Sequence, residues 1–295
     1  MSKLSRKDDI INQTAFLGPM LICFMPIVII PFFYAIYMSF IRWNGISSVK
    51  TFVGLLNFKN IFTNDPDYWT SLLFSIKSTV ATTVISNLMG LAFALLVCSI
   101  PKKLQGAART MLLLPNIMSG IIMGFIWKFI FQKGFSSLAK ATGLSFLAQS
   151  WLGDPQYAFW SIVIVSCWQY SGYTMIIYIA GLIGISNDIN EAALIDGCPK
   201  VTHFFKITFP LIMPSVTICV FWVMVKSFTM YDLVASSTEG GPFKSTMTVS
   251  MDLYAEAFTK NNYGVGSAKA IIFFAFILII SILQVRFTRS REVEQ

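Results

Sequence analysis

Charged residues are scarce in this 295-residue chain. Only 12% of its residues are Asp, Glu, Lys or Arg, 55% are apolar, and the mean hydropathy is +0.68. The polar residues are too few to cover a water-soluble globule of this size. The scarcity of charge therefore excludes a protein that has water as its only solvent.

Histidine and paired cysteines are also scarce. The five cysteines form no Cys-x-x-Cys pair, and His203 is the single histidine, which excludes a His-rich metal site. A phosphate-binding loop is missing too, because Phe243 stands where the nearest match, residues 241–246, needs a glycine before the lysine. We therefore expect no cofactor on this chain, and any energy must come from another protein.

Long stretches without Asp, Glu, Lys or Arg recur along the chain. A bilayer core about 30 Å thick requires roughly 20 residues of apolar helix, so the sequence predicts an all-α, polytopic membrane protein with six transmembrane helices. We expect Lys269 and Arg286 to snorkel outward at the ends of the short last run. Three prolines in the first run predict that its opening part is broken or interfacial. The transmembrane domain is predicted over residues 15–288, with spans at about 15–41, 72–98, 109–131, 157–184, 209–232 and 268–287.

The distribution of lysine and arginine predicts the orientation of these spans. Basic residues are denser on the side that holds both termini than in the opposite loops, 42–70, 132–156 and 233–268. Because this bias sets topology, we predict that the N-terminal segment 1–14, the loop 186–208 and the tail 289–295 are cytoplasmic. The basic residues border the spans and form no stripe, so the net charge of +8 does not indicate binding to nucleic acid.

The segment 191–214 is the largest polar stretch on the predicted cytoplasmic side. Asp188 and Glu191 have the spacing of a helix-capping box, which predicts a short helix that begins near Asp188. Gly197 is suited to end this helix in the left-handed conformation. Pro199 is suited to the first turn of a second short helix.

These two short helices are predicted to form a compact knob. Ala193, Ile195, Val201 and Phe204 would be exposed apolar side chains beside the charged Glu191 and Asp196. Exposed apolar residues ringed by charge indicate a docking site for a partner protein. Spacing alone leaves open a second interpretation, in which the segment is an ordinary interfacial connector.

The spacing of this segment resembles the EAA motif of the membrane-spanning subunits of binding-protein-dependent ABC importers. Cys198 and Phe209 depart from the commonest pattern, in which alanine and leucine stand at these positions. Three further segments are similar to the carbohydrate branch of that family: Phe52-Val-Gly-Leu-Leu-Asn-Phe58, Ser227-Phe-Thr-Met-Tyr-Asp-Leu233 and Gly240-Gly-Pro242. The matching positions of the motif are Glu191-Ala192-Ala193, Asp196-Gly197, Phe204, Ile207, Pro210 and Pro214.

The resemblance implies a type I ABC importer permease fold and a set of partners. These are a second permease subunit, usually a different chain, two cytoplasmic ATPase subunits that use ATP and Mg, and an extracytoplasmic solute-binding protein. It implies a multi-pass protein of a bacterial or archaeal cell membrane that is not itself an enzyme. The residues implied to couple to the ATPases are Glu191, Ala192, Ala193, Asp196, Gly197 and Phe204.

A sugar path through a membrane needs polar groups and flat aromatic faces on the inside of the helix bundle. Lys226 could contact an anionic sugar, or it could reach the outer interface by snorkelling. Aromatic residues near span ends are also ordinary interfacial anchors, and Gly120-x-x-x-Gly124 predicts close helix packing. The candidates for the path are Asn116, Trp168, Gln169, Tyr173, Lys226, Tyr231 and Asp232.

Other functions remain open at this point. A membrane-embedded enzyme would need a clustered acid–base pair or metal ligands inside the spans, and the sequence supplies neither. A sensor could use the knob to signal without transport. Among importers, the alternative solutes are an amino acid or peptide, glycerol phosphate, or an acidic sugar.

Overall fold

The computed structural model describes residues 17–292, and the structure is mostly helical. The predicted N-terminal segment 1–14 and the last residues of the tail, 293–295, lie outside the described residues. Two short strands, β1 (Ile41–Arg42) and β2 (Thr51–Phe52), pair antiparallel. The helices are α1 (Leu17–Ser39), α2 (Leu56–Asn64), α3 (Pro66–Ser99), α4 (Lys102–Ile117), α5 (Gly120–Thr142), α6 (Pro155–Ile183), α7 (Asn187–Ile195), α8 (Lys200–Leu211), α9 (Met213–Phe228), α10 (Asp232–Ser237), α11 (Val249–Tyr254) and α12 (Tyr263–Arg289).

Four of these helices, α1, α3, α6 and α12, are each long and apolar enough to cross a membrane. Two further spans are bent helix pairs, so the count reaches the predicted six if each pair is one span. The pair α4–α5 bends by 97° and the pair α8–α9 by 68°. The predicted spans 109–131 and 209–232 therefore each contain a helix break that their composition did not indicate.

Helix α1 is continuous, so the predicted break in the first run is wrong. A π-helical turn at Met25–Ile29 accommodates the prolines without interrupting the helix. Similar π turns occur at Ile130–Gly134 within α5, at Phe204–Thr208 within α8 and at Ala255–Thr259 after α11.

The described chain divides into two compact units, and the smaller consists of residues 17–65 together with Leu253–Phe273. The buried amide of Asn57 organises its strand pair by donating hydrogen bonds to the carbonyl oxygens of Ser39 (2.8 Å) and Ile41 (3.0 Å). Gly264 lies so close to the Ile41 carbonyl that a β-carbon would collide with it. The first residues of α12 can therefore pack directly against β1.

Lys269 is fully buried in this smaller unit, so the expectation that it snorkels outward is wrong. Its ammonium group lies 2.8 Å from a carboxylate oxygen of Asp65 and 3.3 Å from one of Glu256. Helix α12 begins at Tyr263, six positions before Lys269, and the two carboxylates compensate the buried charge.

The larger unit comprises Pro66–Asp252 and the residues from Phe274 onward. Its central contact is between α3 and α6, where Gly90 lies against Thr174 and leaves no space for a β-carbon. Thr174 Oγ1 donates to the carbonyl oxygen of Ser86 (3.2 Å), and the Tyr178 hydroxyl donates to Asn87 Oδ1 (2.7 Å). Small residues and interhelical hydrogen bonds of this kind hold membrane helices together.

Helices α5 and α10 also pack closely in the larger unit. A β-carbon at Gly120 would lie 2.8 Å from Cβ of Asp232, and one at Gly124 would collide with Ser236. The predicted close packing at the Gly120-x-x-x-Gly124 pair is therefore confirmed. An apolar cluster beside it consists of Phe74, Met123, Phe131, Trp151, Ile162, Val165, Met230, Leu233 and Val234.

Candidate partner-docking loop and internal cavity

The polar segment that follows α6 forms the predicted helix–turn–helix. Helix α7 is capped at its start by Ser186, whose hydroxyl accepts a hydrogen bond from the Asp188 backbone N–H (3.2 Å). The predicted cap at Asp188 is wrong by two positions. Both residue types favour caps, and here the serine precedes the first helical turn while Asp188 lies within it.

Gly197 ends α7 in the left-handed conformation, with φ of +65°, as predicted. The Gly197 N–H donates to the Leu194 carbonyl (3.1 Å), and the Cys198 N–H donates to the Ala193 carbonyl (3.0 Å). This pair of bonds defines a Schellman cap. Nothing lies within 4 Å of the position of a β-carbon at Gly197, so backbone conformation, not space, favours glycine there.

Pro199 caps the second helix, one position before its predicted place in the first turn. Its carbonyl oxygen accepts a hydrogen bond from the His203 N–H (2.8 Å), and α8 then continues through the π turn to Leu211. The second helix, predicted to be short, therefore runs for twelve residues, from Lys200 to Leu211.

The exposed face of this loop differs in part from the prediction. Ala193 is only 4% exposed, so it is a packing residue and its predicted exposure is wrong. Phe204 is half-buried and packs edge-on against Phe205. The exposed residues of the loop include Glu191, Ala192, Leu194, Ile195, Asp196, Gly197, Val201 and Phe205.

A cavity of about 410 Å³ lies in the larger unit, where the α4–α5 break meets α6, the C-terminal end of α9 and the start of α10. The α4–α5 break leaves the Met118 carbonyl outside a regular helix, and Gln169 Nε2 donates a hydrogen bond to it (3.1 Å). Irregular backbone at membrane depth is tolerated where it lines a cavity of this kind. The lining residues are Asn116, Met118, Gly120, Gln169, Tyr170, Trp222, Lys226, Thr229, Met230, Tyr231, Asp232 and Leu233.

Trp222 is the central aromatic group of this cavity. It stacks on Tyr173 with ring centroids 4.0 Å apart, and Tyr170 contacts its ring edge-on at 5.5 Å. The Lys226 ammonium lies 6.0 Å from the Trp222 ring centroid, at the outer limit of a cation–π interaction. Sequence reasoning missed Trp222, although it stands four residues before Lys226 and therefore on the same helix face.

The structure brings five of the seven candidate path residues to the cavity: Asn116, Gln169, Lys226, Tyr231 and Asp232. Trp168 does not line it and instead contacts Trp127 edge-on, with centroids 5.5 Å apart. Tyr173 lies behind Trp222. Lys226 and Asp232 thus contribute opposite charges to one cavity, together with amide and aromatic groups.

No group of three or more His, Cys, Asp or Glu side chains within residues 17–292 is arranged to hold a metal ion. The chemistry that the cavity offers is recognition by hydrogen bonds, charge and aromatic contact.

Comparison with known proteins identifies the family. Residues 70–293 match the model of a family described as the inner membrane component of binding-protein-dependent transport systems. The chain belongs to this family. It is a multi-pass permease of the ABC importer type and a non-catalytic transport subunit, which excludes the enzyme alternative.

Three curated permeases are similar to this permease over nearly their whole length. A probable permease for starch degradation products from Thermoanaerobacterium thermosulfurigenes is 40% identical, over 95% of this chain and 94% of that protein. A multiple sugar-binding transport permease from Streptococcus mutans is 30% identical, over 89% of this chain and 90% of that protein. An sn-glycerol-3-phosphate permease from Brucella abortus is 30% identical, over 93% of this chain and 94% of that protein.

Solved structures support the fold. One of them is a chain from the crystal structure of a bacterial ABC transporter involved in the import of the acidic polysaccharide alginate. It superposes on this permease with a TM-score of 0.81 at 17% sequence identity. The match covers 97% of this permease and 99% of the alginate transporter chain. A chain of an amino acid ABC transporter has a TM-score of 0.54 over 79% of this chain. The predicted ABC importer permease fold is confirmed.

Proposed function

We propose that this permease forms half of the translocation path of an ABC importer for a sugar or oligosaccharide. The observation that carries the proposal is the cavity, in which the Trp222 ring lies among the amide groups of Asn116 and Gln169. Sugars bind to proteins through flat aromatic faces and directional polar groups. The cavity supplies both, beside the break between α4 and α5.

The relatives support the same class of solute. Two of the similar permeases are named for starch degradation products and for multiple sugars, and one of them is 40% identical to this chain. Starch products are neutral oligosaccharides, and a cavity with one cationic and one anionic side chain is compatible with a neutral solute.

The loop 186–208 is proposed to couple this path to two cytoplasmic ATPase subunits. Leu194 and Ile195 are 74% and 86% exposed at the end of α7. Apolar side chains exposed to this degree favour a protein partner that covers them. Glu191, Ala192, Asp196 and Gly197 lie on the exposed part of the same loop, and Ala193 and Phe204 support it from inside.

The remaining parts of the proposed importer follow from the topology and from the family. Both termini and the loop 186–208 are proposed to face the cytoplasm of a bacterial or archaeal cell. The partners are a second permease subunit, which completes the path, and an extracytoplasmic solute-binding protein, which delivers the sugar. ATP and Mg are bound by the ATPase partners.

A second candidate solute, an anionic sugar or a glycerol phosphate, is favoured by one observation. Lys226 borders the cavity, and the similar sn-glycerol-3-phosphate permease shows that a phosphorylated solute occurs among relatives. Asp232 in the same cavity opposes an anion. Lys226→Met therefore separates the two candidates, because it should abolish uptake of an anionic solute and reduce that of a neutral oligosaccharide only modestly.

Uptake by the complete importer in vesicles tests the proposal. Neutral and acidic radiolabelled oligosaccharides would be compared in the wild type, in Trp222→Ala and in Trp160→Ala. Trp160 is a matched control, because it lies on α6 with 43% of its side chain exposed and does not line the cavity. We expect Trp222→Ala to lose at least about tenfold in uptake. Undiminished uptake by Trp222→Ala, or no uptake of any carbohydrate by the wild type, would contradict the proposal.

A further inference from the structure

Phe243 is the most exposed of the large apolar side chains in the described part of the chain, at 95%. It stands at the tip of the loop 240–245, between α10 and α11, which we call the Phe243 loop. An aromatic side chain on a flexible loop would fold back onto the nearest apolar surface, because that contact removes it from water. The position of Phe243 therefore requires a loop that holds it outward.

Hydrogen bonds inside the loop provide the first restraint. Thr246 is completely buried, and its hydroxyl donates to the Gly241 carbonyl (2.6 Å) while its N–H donates to the Gly240 carbonyl (3.2 Å). The Ser245 N–H closes the tip by donating to the Pro242 carbonyl (2.9 Å). The backbone on both sides of Phe243 is thus fixed by Thr246 and Ser245.

Two ion pairs fix the loop to two different helices of the larger unit. Lys244 pairs with Asp67 in the first turn of α3, and Glu239 pairs with Lys128 of α5 at 3.0 Å. Each pair is partly exposed and weak by itself. Together they restrain the loop on either side of Phe243.

The backbone conformation agrees with such a restraint. Phe243 and Lys244 have φ values of +53° and +61°, which are uncommon for residues other than glycine. Conformations of this kind persist only where the surroundings determine them. The loop is therefore organised before any partner arrives.

We propose that Phe243 is an apolar anchor on which the extracytoplasmic solute-binding protein docks. The inference rests on the proposed function and orientation, in which Asp67 precedes the second span and Lys128 lies near the outer end of the third. Rigid, exposed aromatic side chains are typical binding hot spots, because a partner gains a large contact area and little conformational freedom is lost.

The surroundings of Phe243 define the chemistry of the partner surface. The side chains of Lys244, Asp67 and Glu239 are 62%, 51% and 73% exposed, so charges of both signs surround the ring. The partner surface should be an apolar pocket with a rim of mixed charge. A lipid surface does not fit this chemistry. If the Phe243 ring entered the acyl chains, the neighbouring charged groups would have to enter them as well, which is costly.

Stimulation of ATPase activity by the binding protein tests the anchor in the complete reconstituted importer. With Phe243→Ala, we expect the binding-protein concentration for half-maximal stimulation to rise about tenfold or more. The rate at saturating binding protein and the basal rate should not change. Phe243→Trp, which keeps a rigid aromatic group, should restore the half-maximal concentration to within about threefold of the wild type.

Phe129→Ala is the matched control. Phe129 is 67% exposed on α5, next to Lys128 in sequence. Its replacement by alanine removes the same type of side chain as Phe243→Ala, but from a membrane helix instead of the loop. We expect no change in the half-maximal concentration for this variant. An unchanged half-maximal concentration for Phe243→Ala would show that Phe243 is not a docking anchor, while the proposed function would stand. A wild type that no binding protein stimulates overturns both.

Photo-crosslinking identifies what Phe243 touches. With p-benzoylphenylalanine at position 243, we expect a covalent product with the binding protein, formed only when that protein is present. Products with lipid alone, or with the second permease alone, would overturn the anchor.

Discussion

The Lys269 ammonium group lies 2.8 Å from the Asp65 carboxylate, and no part of the Lys269 side chain is exposed. A lysine charge removed from water in this way is tolerated only when carboxylates compensate it. Glu256 supplies the second carboxylate at 3.3 Å. The start of α12 in the smaller unit is therefore fixed by electrostatics as well as by apolar packing.

Removal of this lysine should destabilise the permease strongly. Lys269→Met removes the buried cation that pairs with both Asp65 and Glu256, and a loss of about 3–5 kcal/mol is expected. Lys260→Met is the control, because Lys260 pairs with the same Glu256 at 2.8 Å but is 54% exposed, and it should cost at most about 1 kcal/mol. Thermal unfolding of the purified permease in detergent measures both. Equal losses for the two variants would contradict the interpretation of Lys269.

The same cluster predicts a dependence of stability on pH. Burial by itself would raise the pKa of the Glu256 carboxyl, but hydrogen bonds from Lys260 and Asn262 and the charges of Lys269 and Lys260 lower it below its usual range. A carboxyl whose pKa is lowered in the folded state stabilises the fold above its unfolded pKa of about 4.3, and this contribution disappears as the pH falls through the folded value.

Melting temperatures between pH 7 and pH 3 measure this contribution. We expect the wild type to lose stability below about pH 4.3, and Glu256→Gln to lose less over the same interval because it cannot be protonated. Glu239→Gln is the control, since its carboxylate is 73% exposed, and it should follow the wild type. Parallel curves for the wild type and Glu256→Gln would contradict the prediction.

The two left-handed glycines at helix ends provide a matched test of coupling. Gly197 and Gly143 have φ values of +65° and +76°, and neither has an atom within 4 Å of the position of a β-carbon. Valine at either site should cost a similar, modest amount of stability, because a β-branched residue resists positive φ. Only Gly197→Val should uncouple ATP hydrolysis from uptake. Normal transport by this variant would reject the coupling role of the loop.

Ala193 and Leu194 are neighbours in sequence but differ in burial. Ala193 is 4% exposed and Leu194 is 74% exposed. Ala193→Asp buries an unpaired charge and should lower the yield of folded permease severely. Leu194→Asp should leave folding intact and weaken copurification of the ATPase subunits. Quantitative membrane expression and pull-down distinguish the two variants, and a reversed pattern would show that the exposed face has been assigned incorrectly.

The four long apolar helices could be predicted from the sequence, because scarcity of charge over about 20 residues is a local property, and the count reaches the predicted six if each bent pair is one span. The breaks within α4–α5 and α8–α9 could not. At the α4–α5 break, Gln169 of another helix donates a hydrogen bond to the Met118 carbonyl, a contact that local sequence does not reveal. The burial of Lys269 was missed for the same reason, since Asp65 is distant in sequence.

The structure of the loop 186–208 was predictable in outline because caps are local. Gly197 was correctly assigned, but Ser186 and Asp188 both suit a helix start, and sequence does not decide between them. The exposure of Ala193 was wrong because burial depends on the fold around α7. Trp222 in the cavity was detectable from its spacing to Lys226, whereas the displacement of Trp168 and Tyr173 from the cavity depends on helix rotation.

The Schellman cap at the end of α7 has a further consequence for any protein that binds there. The carbonyl oxygens of Ala193 and Leu194 already accept hydrogen bonds from Cys198 and Gly197. A partner therefore does not need to supply donors to the helix end, and it does not leave them unsatisfied when it departs. A protein that binds this surface can therefore contact it through side chains, while the backbone hydrogen bonds of the helix end stay the same in the free and bound states.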